Sequence, residues 1–332
     1  MTLNPESEKH LLQIQAGQRG RNKGHEFELR VSKEINNLNI EKFDFCNLDK
    51  NKDVFYGEPG LLLLKFISAT SFMNQKIESA CAFSTGSIAT AEKDLKREIF
   101  INGKLVKKSK SDIVIKIKPI NGEEKYFGIS TKQCSIKRPT NAQLYFSTAK
   151  GFSDLLNRNF IKVPEYAIIS LKQFCGDVGF RPLDQNMRRE CDPRRYFWEE
   201  INKDGREFWE KLFKDKQKEI TEILFRKGYS DDPYEPDYLL HKTRKVDESE
   251  REEYAIFSID QLIKMSIDYQ GFIKNKYQVK KGSYKDPENI FHEAPRFGII
   301  QMQRGGQKQH PTQLQFNLEA GYFKKIYPSN KT

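Results

Sequence analysis

Apolar residues recur at two different periods along this chain, and the period distinguishes its helices from its strands. Between residues 24 and 38 the apolar positions are three and four apart, which predicts a helix with one buried face. These positions are Phe27, Val31, Ile35 and Leu38. From 113 to 118 the period changes to two, as Ile113, Ile115 and Ile117 alternate with Val114, Lys116 and Lys118. That alternation is typical of a strand.

A hairpin is predicted around this strand. Asn121-Gly122 is a dipeptide that tight hairpin turns favour, because both positions accept a positive φ. The run from Lys125 to Lys132 then predicts the returning strand. Folding the chain at the turn brings Asp112, at the start of the hairpin, close to Ser130 and Lys132, at its end. Ser130 and Lys132 are two residues apart and therefore lie on one face of the strand.

The same patterns predict the remaining elements, with an arm of loose structure at 1–22 and a linker at 231–237. Further helices are expected at 60–72, 88–99, 140–156, 192–227 and 259–266. The helix at 192–227 would have Asp192 as N-cap and Pro193 as its first residue. Further strands are expected at 165–171, 254–258, 272–280, 296–303 and 312–318. This order predicts an α/β fold with a mixed central sheet flanked by helices and a mixed α+β C-terminal region.

Composition restricts the class of protein. The 332 residues are 37% hydrophobic and 31% charged, which is typical of a globular chain with a real core. No apolar run reaches membrane-spanning length, and the N-terminus lacks an apolar signal region, so a cytoplasmic location is expected. The five cysteines are scattered without a CxxC pair, which argues against a zinc site and a disulfide framework.

The net charge of +11 is concentrated in two blocks. Residues 101–150 contain eleven Lys and Arg against three Asp and Glu, and residues 272–332 contain eleven against four. The first block includes the predicted hairpin. Surfaces of this kind favour a polyanion such as double-stranded DNA as partner. The alternative is that these cations only solvate the surface.

Asp112, Ser130 and Lys132 form the candidate catalytic constellation. A carboxylate that can bind a divalent metal, beside a lysine ammonium, is suited to hydrolysing a phosphodiester. The arrangement resembles the PD-(D/E)XK nucleases, whose core motif is an Asp on one strand and an acidic-x-Lys on the next. Asp112 and Lys132 match that motif, whereas Ser130 stands at the acidic position and Ser111 replaces the proline. Ser130 therefore removes one direct metal ligand, a change that some type II restriction enzymes of the superfamily tolerate.

The helix before the hairpin adds to the resemblance. Its opening, Gly24 to Glu28, matches a G-x-x-F-E pattern in the first helix of these nucleases, in which the glutamate leans over the metal site. The resemblance implies a restriction-endonuclease-like core that needs Mg²⁺, with Asp112 and Glu28 as metal ligands. It also implies that Lys132 orients the attacking water and that Ser130 holds a metal-bound water or contacts phosphate. The alternative is that Glu28 is a solvent-exposed helix residue without a functional role.

A second resemblance lies near the C-terminus. Residues 297–318 resemble a segment found late in some type II restriction enzymes, written loosely IQRKGG…LQFK. Glutamine and arginine side chains can pair with adenine and guanine in the major groove, and lysine contacts phosphate. The DNA-binding candidates are Gln303, Arg304, Gln307, Lys308, Gln309, Gln313, Gln315 and Lys137. The alternative is a solvated hairpin with a glutamine-rich surface.

Together these features predict a type II restriction endonuclease of a restriction-modification system. The expected organisation is a catalytic core with an N-terminal arm at 1–175, and a region at 176–332 for recognition or dimerisation. A homodimer is expected, because cutting both strands of a symmetric site suits two active sites related by a twofold axis. Two alternatives stay open. One is a repair or junction-resolving nuclease of the same superfamily, and the other is a non-catalytic DNA-binding protein on a nuclease-like fold.

Overall fold

The computed structural model divides the chain into two compact units, each built from separate stretches of sequence. The first unit draws on 6–140 and 226–262, and the second on 141–225 and 263–325. The structure describes residues 8–43, 45, 48, 52–89, 98–134, 141–185, 192–228, 232–268, 272–278, 291–304 and 313–319. The chain therefore leaves the first unit before residue 175, where the sequence placed a boundary, and returns to it at 226.

A six-stranded mixed sheet forms the centre of the first unit. Its strands are β1 (Val54–Tyr56), β2 (Ile77–Ser84), β5 (Ile113–Pro119), β6 (Lys125–Gln133), β8 (Pro236–Val246) and β9 (Glu252–Ser258). They lie in the order β1-β9-β8-β6-β5-β2, with β6 and β8 parallel and the other neighbours antiparallel. A separate two-stranded ribbon contains β3 (Phe100–Ile101) and β4 (Lys104–Leu105).

Two helices pack on the sheet of the first unit, α1 (Glu8–Asn37) and α2 (Pro59–Ser71). Phe27, Val31 and Ile35 of α1 are buried in the same cluster as Ile113, Ile115 and Ile117 of β5. Val114 points to the opposite face, where it packs with Ile101 and Val106. Both periods read from the sequence are therefore confirmed, and so is the predicted mixed sheet flanked by helices. Among the described residues, no helix is long and apolar enough to cross a membrane.

The second unit combines an antiparallel sheet with helices. Its strands are β7 (Asn141–Thr148), β10 (Phe272–Gln278), β11 (Phe291–Phe297), β12 (Ile300–Arg304) and β13 (Gln313–Glu319). They lie in the order β10-β11-β12-β13-β7. Its helices are α3 (Ala149–Arg158), α4 (Glu165–Cys175) and α5 (Lys203–Asp215), while α6 (Gln217–Arg226) and α7 (Ile259–Asp268) reach its boundaries. Aromatic rings fill its core, with Phe213 and Phe297 stacked at 4.7 Å between centroids.

The hairpin exists as predicted, but its turn differs. β5 and β6 pair with Ile113 opposite Ile129 and Ile117 opposite Lys125. The connection spans 120–124, and neither Asn121 nor Gly122 has a positive φ. The prediction of a two-residue turn with both residues at positive φ was therefore wrong. The longer loop removes the need for that strained pair while keeping the same strands in register.

Several predicted elements change type in the structure. Residues 165–171 belong to a helix rather than a strand, because Ala167, Ser170, Leu171 and Phe174 are buried at helical spacing. This helix ends at Gly176, which has a φ of 78°. The predicted helix at 140–156 is a strand followed by a helix, since 141–148 pairs with β13. Such pairing with a distant segment leaves little trace in local sequence.

The long helix predicted at 192–227 is divided and starts later. Asn202 caps α5 by accepting a hydrogen bond from the Gly205 amide at 3.1 Å, and the helices α5 and α6 are separated at Lys216. Asp192 is no N-cap, because turn and irregular structure rather than a helix follows it at 193–197. Its carboxylate instead accepts two hydrogen bonds from the Arg194 guanidinium, at 2.8 and 3.0 Å.

At the N-terminus, α1 begins at Glu8, so 8–22 is helical rather than a loose arm. Of the predicted helix at 88–99, residues 90–97 lie outside the described residues. The strand at 254–258 and the helices at 60–72 and 259–266 are confirmed within a few residues. The strand predicted at 296–303 is divided between β11 and β12. Strand β8 includes the end of the predicted linker at 231–237.

Candidate active site

Asp112 lies immediately before β5, at the end of the hairpin opposite its turn. Its backbone amide donates to the Ile129 carbonyl at 2.8 Å, and its carbonyl accepts from the Thr85 and Gly86 amides. Its carboxylate Oδ2 accepts a hydrogen bond of 2.6 Å from the Thr131 amide. The backbone of two neighbouring strands thus fixes the position of this half-buried carboxylate.

Ser130 and Lys132 lie on the returning strand, as the sequence predicted. The Lys132 ammonium donates to Ser130 Oγ at 3.2 Å and to the Thr131 carbonyl at 2.9 Å. Ser130 is buried, with 6% of its surface exposed. The ammonium is therefore held over the same strand segment whose Thr131 amide binds Asp112. The structure brings the two ends of the hairpin together.

Glu28 is buried rather than solvent-exposed, with 6% of its surface accessible. His25 Nδ1 lies 3.2 Å from its Oε2. Gly86 packs against the carboxyl group so closely that a Cβ at this position would overlap Oε2. A side chain at position 86 would therefore displace the Glu28 carboxyl group.

Electrostatics connects Glu28 with the hairpin residues. Burial raises the pKa of Glu28 to about 9, the negative charge of Asp112 adds to the increase, and the Lys132 ammonium partly offsets it. Each of these effects requires the groups to be close enough to act on one another. The structure therefore places a helix carboxyl, a strand carboxylate and an ammonium in one site, from three segments far apart in sequence.

This donor set is compatible with a magnesium ion. Mg²⁺ prefers hard oxygen ligands and is commonly bound by one or two carboxylates while it keeps several waters. Asp112 and Glu28 supply two carboxyl groups whose mutual repulsion a cation would relieve, and Ser130 adds a hydroxyl. Within the described ranges, no group of three or more His, Cys, Asp or Glu could hold a metal.

The raised pKa of Glu28 gives a testable pH dependence of stability in metal-free protein. The unfolded chain releases this proton near the ordinary pKa of 4.5, whereas the folded chain keeps it up to about 9. The stability contributed by Glu28 is therefore fully present below 4.5 and is lost as the pH rises towards 9. Glu28→Gln removes this titration. We expect the variant to gain about 1–3 kcal/mol relative to wild type between pH 5 and pH 8, measured by denaturant unfolding in EDTA. If the free energies of unfolding of the two proteins changed with pH in the same way, the raised pKa of the buried Glu28 carboxyl would be contradicted.

Two further residues at the site were missed by the sequence analysis. Lys110 is half-buried, and burial together with the charge of Lys132 lowers its pKa to about 8, while Asp112 and Asp232 act in the opposite direction. His241 on β8 is the register partner of Lys132, and burial followed by the Lys132 charge lowers its pKa to about 4. Lys110 could have been noticed from its place two residues before Asp112. His241 could not, because β8 was not predicted.

The candidate DNA-binding residues lie on β12 and β13 or outside the described residues. Gln303 and Gln315 are register partners and are half-buried, as is Gln313. The Arg304 side chain is 11% exposed, and its Nη1 lies 3.8 Å from Asp192 Oδ2. Burial and the neighbouring Arg195 lower the pKa of Arg304 to about 10. Gln307, Lys308, Gln309 and Lys137 lie outside the described residues. A role of this segment in binding DNA stays a prediction.

Similarity to known proteins is found among solved structures. No family model matches the chain, and no curated protein matches it. Among solved structures, the chain is similar to the restriction endonuclease MspI in complex with its cognate DNA. The two share 11% sequence identity with a TM-score of 0.42, over 76% of this chain and 78% of MspI.

Proposed function

We propose that this protein is a type II restriction endonuclease that hydrolyses both strands of duplex DNA at a specific sequence and requires Mg²⁺. The observation that supports it best is the convergence of the buried Glu28 with the half-buried Asp112 and Lys132 in one site. The spacing from Asp112 to Lys132, with Ser130 at the acidic position, matches the nuclease motif named above. The Glu28 carboxyl provides the second acid that the strand lacks.

Each residue has a distinct role in the proposed reaction. Asp112 and Glu28 would hold Mg²⁺, which supplies Lewis-acid stabilisation of the scissile phosphate when bound. Lys132, fixed by Ser130 and the Thr131 carbonyl, orients the attacking water and neutralises charge that develops on the phosphate. Ser130 keeps the ammonium in place and offers a hydroxyl to phosphate or water. The Glu28 carboxyl must lose its proton before it can act as a ligand.

The proposed substrate agrees with the charge distribution of the chain. The blocks of excess Lys and Arg at 101–150 and 272–332 would contact the phosphate backbone, which provides most of the affinity of proteins for DNA. We further propose that the active protein is a homodimer, because two sites related by a twofold axis can cut both strands of a symmetric sequence. The proposed location is the cytoplasm.

Two alternatives predict different products. A repair or junction-resolving nuclease would use the same site on branched or nicked DNA. A non-catalytic DNA-binding protein is favoured by Ser130, which removes a metal ligand from the motif. Incubating the protein with Mg²⁺ and either linear duplex or four-way junction DNA separates them. Discrete fragments from the duplex support restriction, selective nicking of the junction supports resolution, and retention without cleavage supports binding alone.

Recognition of the DNA base sequence gives a separate prediction for β12 and β13. If Gln303 and Gln315 contact base edges, Gln303→Ala should weaken binding to the cognate site, since a lost base contact costs about 1–3 kcal/mol. Binding to random duplex should change little. Lys137→Ala should weaken both complexes and reduce the salt dependence by about one unit of slope. Salt titrations of binding to cognate and random duplexes measure these changes in affinity. Equal losses of affinity for both duplexes in Gln303→Ala would indicate that β12 contacts the DNA phosphate backbone rather than the bases.

A further inference from the structure

A cleft of about 720 Å³ lies within the first unit, between α1 and the ends of β6 and β8. One wall is a face of α1, with Gly20, Lys23, Phe27 and Arg30 at three- and four-residue spacing. Phe27 directly precedes Glu28. The other wall includes Gln133, the last residue of β6, and Cys134, which together directly follow Lys132 in sequence. Each wall therefore contains residues that are sequence neighbours of a candidate catalytic residue.

Charged side chains from different elements meet in this cleft. Arg30 Nη2 lies 2.8 Å from Glu252 Oε2, and the Lys242 ammonium forms an ion pair with the same carboxylate. The Tyr254 hydroxyl also donates to Glu252. Although burial opposes ionisation of Glu252, the hydrogen bonds from Lys242, Tyr254 and Arg30 lower its pKa to about 2. Glu252 is thus an anion held by three donors.

The donors are also positioned by an aromatic ring. Arg30 Cζ lies 5.5 Å from the centroid of the Phe27 ring, and Lys242 Nζ lies 5.9 Å from it. Phe27 in turn stacks on Tyr254 at 6.2 Å between centroids. A cation over an aromatic face is attracted by the quadrupole of the ring. The two cations would therefore stay near their positions without Glu252.

We propose that this cleft binds backbone phosphates of DNA next to the scissile phosphate, and that Glu252 occupies the position of a phosphate until DNA arrives. Carboxylate and phosphate present equivalent oxygen atoms to a guanidinium, so Arg30 can exchange one for the other. On binding, Arg30 and Lys242 move from Glu252 to the phosphate, and Lys23 at the rim adds a third cation. The proposal rests on DNA as the substrate of the proposed function.

The exchange makes a prediction that a simple basic patch does not make. Glu252 competes with DNA for the same cations, so Glu252→Gln should tighten binding to duplex DNA. The expected gain is about 2–5-fold, the range that corresponds to a partly exposed charge pair. Arg30→Ala and Lys242→Ala should each weaken binding about 3–10-fold and reduce the salt slope by about one unit. Glutamine keeps the shape of Glu252 and still accepts hydrogen bonds, so this variant tests the exchange even if an alanine variant fails to fold.

The experiment is a salt titration of labelled random-sequence duplex in EDTA, with thermal unfolding of each variant as a check. Lys76→Ala is the matched control, since Lys76 is an exposed lysine of the same unit at the opposite end of the sheet from Asp112. Tighter binding by Glu252→Gln, with losses for Arg30→Ala and Lys242→Ala but not Lys76→Ala, supports the cleft. Weaker or unchanged binding by Glu252→Gln overturns the exchange. Unchanged binding by folded Arg30→Ala and Lys242→Ala overturns the site.

A parallel cleavage assay of wild-type protein with Mg²⁺ keeps the two proposals distinct. Cleavage by wild type, combined with affinities of the folded cleft variants that match those of Lys76→Ala, overturns the cleft and leaves the nuclease. If the affinities change as expected but wild type cleaves no DNA, the cleft is supported as a phosphate site and the nuclease proposal is contradicted.

Discussion

Asp112→Asn should abolish Mg²⁺-dependent cleavage of duplex DNA, lowering turnover by about a thousandfold or more, because phosphodiester hydrolysis depends on a correctly placed metal ion. Asparagine keeps the shape of the side chain, and its amide oxygen can still accept the hydrogen bond from the Thr131 amide. The fold and the affinity for DNA in EDTA should therefore survive. Single-turnover cleavage at saturating protein, together with a binding titration, measures both quantities.

Lys132→Met extends this prediction to the ammonium and has a matched control on the same hairpin. Lys118 on β5 is exposed and paired with Glu78 at 2.8 Å, near the end of the strand farther from Asp112. Lys118→Met should cleave like wild type, whereas Lys132→Met should lose cleavage by a factor comparable to that of Asp112→Asn. An Asp112 or Lys132 variant with turnover near that of wild type would contradict the assignment of the active site.

Glu28→Gln should shift the Mg²⁺ concentration for half-maximal cleavage upward by about tenfold or more and reduce the maximal rate. The reason is that Ser130 leaves the strand motif one carboxylate short, and Mg²⁺ needs oxygen ligands of defined number and geometry. Glu8→Gln is the control, since Glu8 is an exposed glutamate in the first turn of the same helix. A Mg²⁺ titration of initial cleavage rates measures the shift for both variants.

A double change sharpens the interpretation of Glu28. If Glu28 replaces the acid that Ser130 lacks, Ser130→Glu should restore part of the Mg²⁺ affinity lost in Glu28→Gln. Superimposable Mg²⁺ titrations of wild type and Glu28→Gln would instead show that the buried carboxyl has no part in metal binding.

Local sequence patterns were sufficient to predict the parts of the fold that depend on short-range contacts. The stripe of Phe27, Val31 and Ile35 predicts the buried face of α1, and the alternation from 113 to 118 predicts β5. The pairing of β5 with β6 follows because the strands are neighbours in sequence. From these elements the approach of Asp112 to Ser130 and Lys132 could be predicted.

Elements that depend on distant pairing were missed or changed type. Strand β8 pairs in parallel with β6 across about a hundred residues, and its first residues, Pro236 and Asp237, look like a turn in the sequence. Without β8 there was no reason to place His241 beside Lys132. Likewise, β7 is a strand because β13 pairs with it. The approach of Glu28 to the site was expected only from the resemblance, because a single helix glutamate is usually exposed to solvent.

The central claim is tested most directly by incubating wild-type protein with a plasmid of known sequence in Mg²⁺ and mapping the ends of the products. The proposed function predicts discrete fragments whose ends share one short sequence, complete loss of these fragments in EDTA, and their absence with Asp112→Asn. An intact plasmid at saturating protein and Mg²⁺, or random ends that Asp112→Asn produces equally, would contradict it.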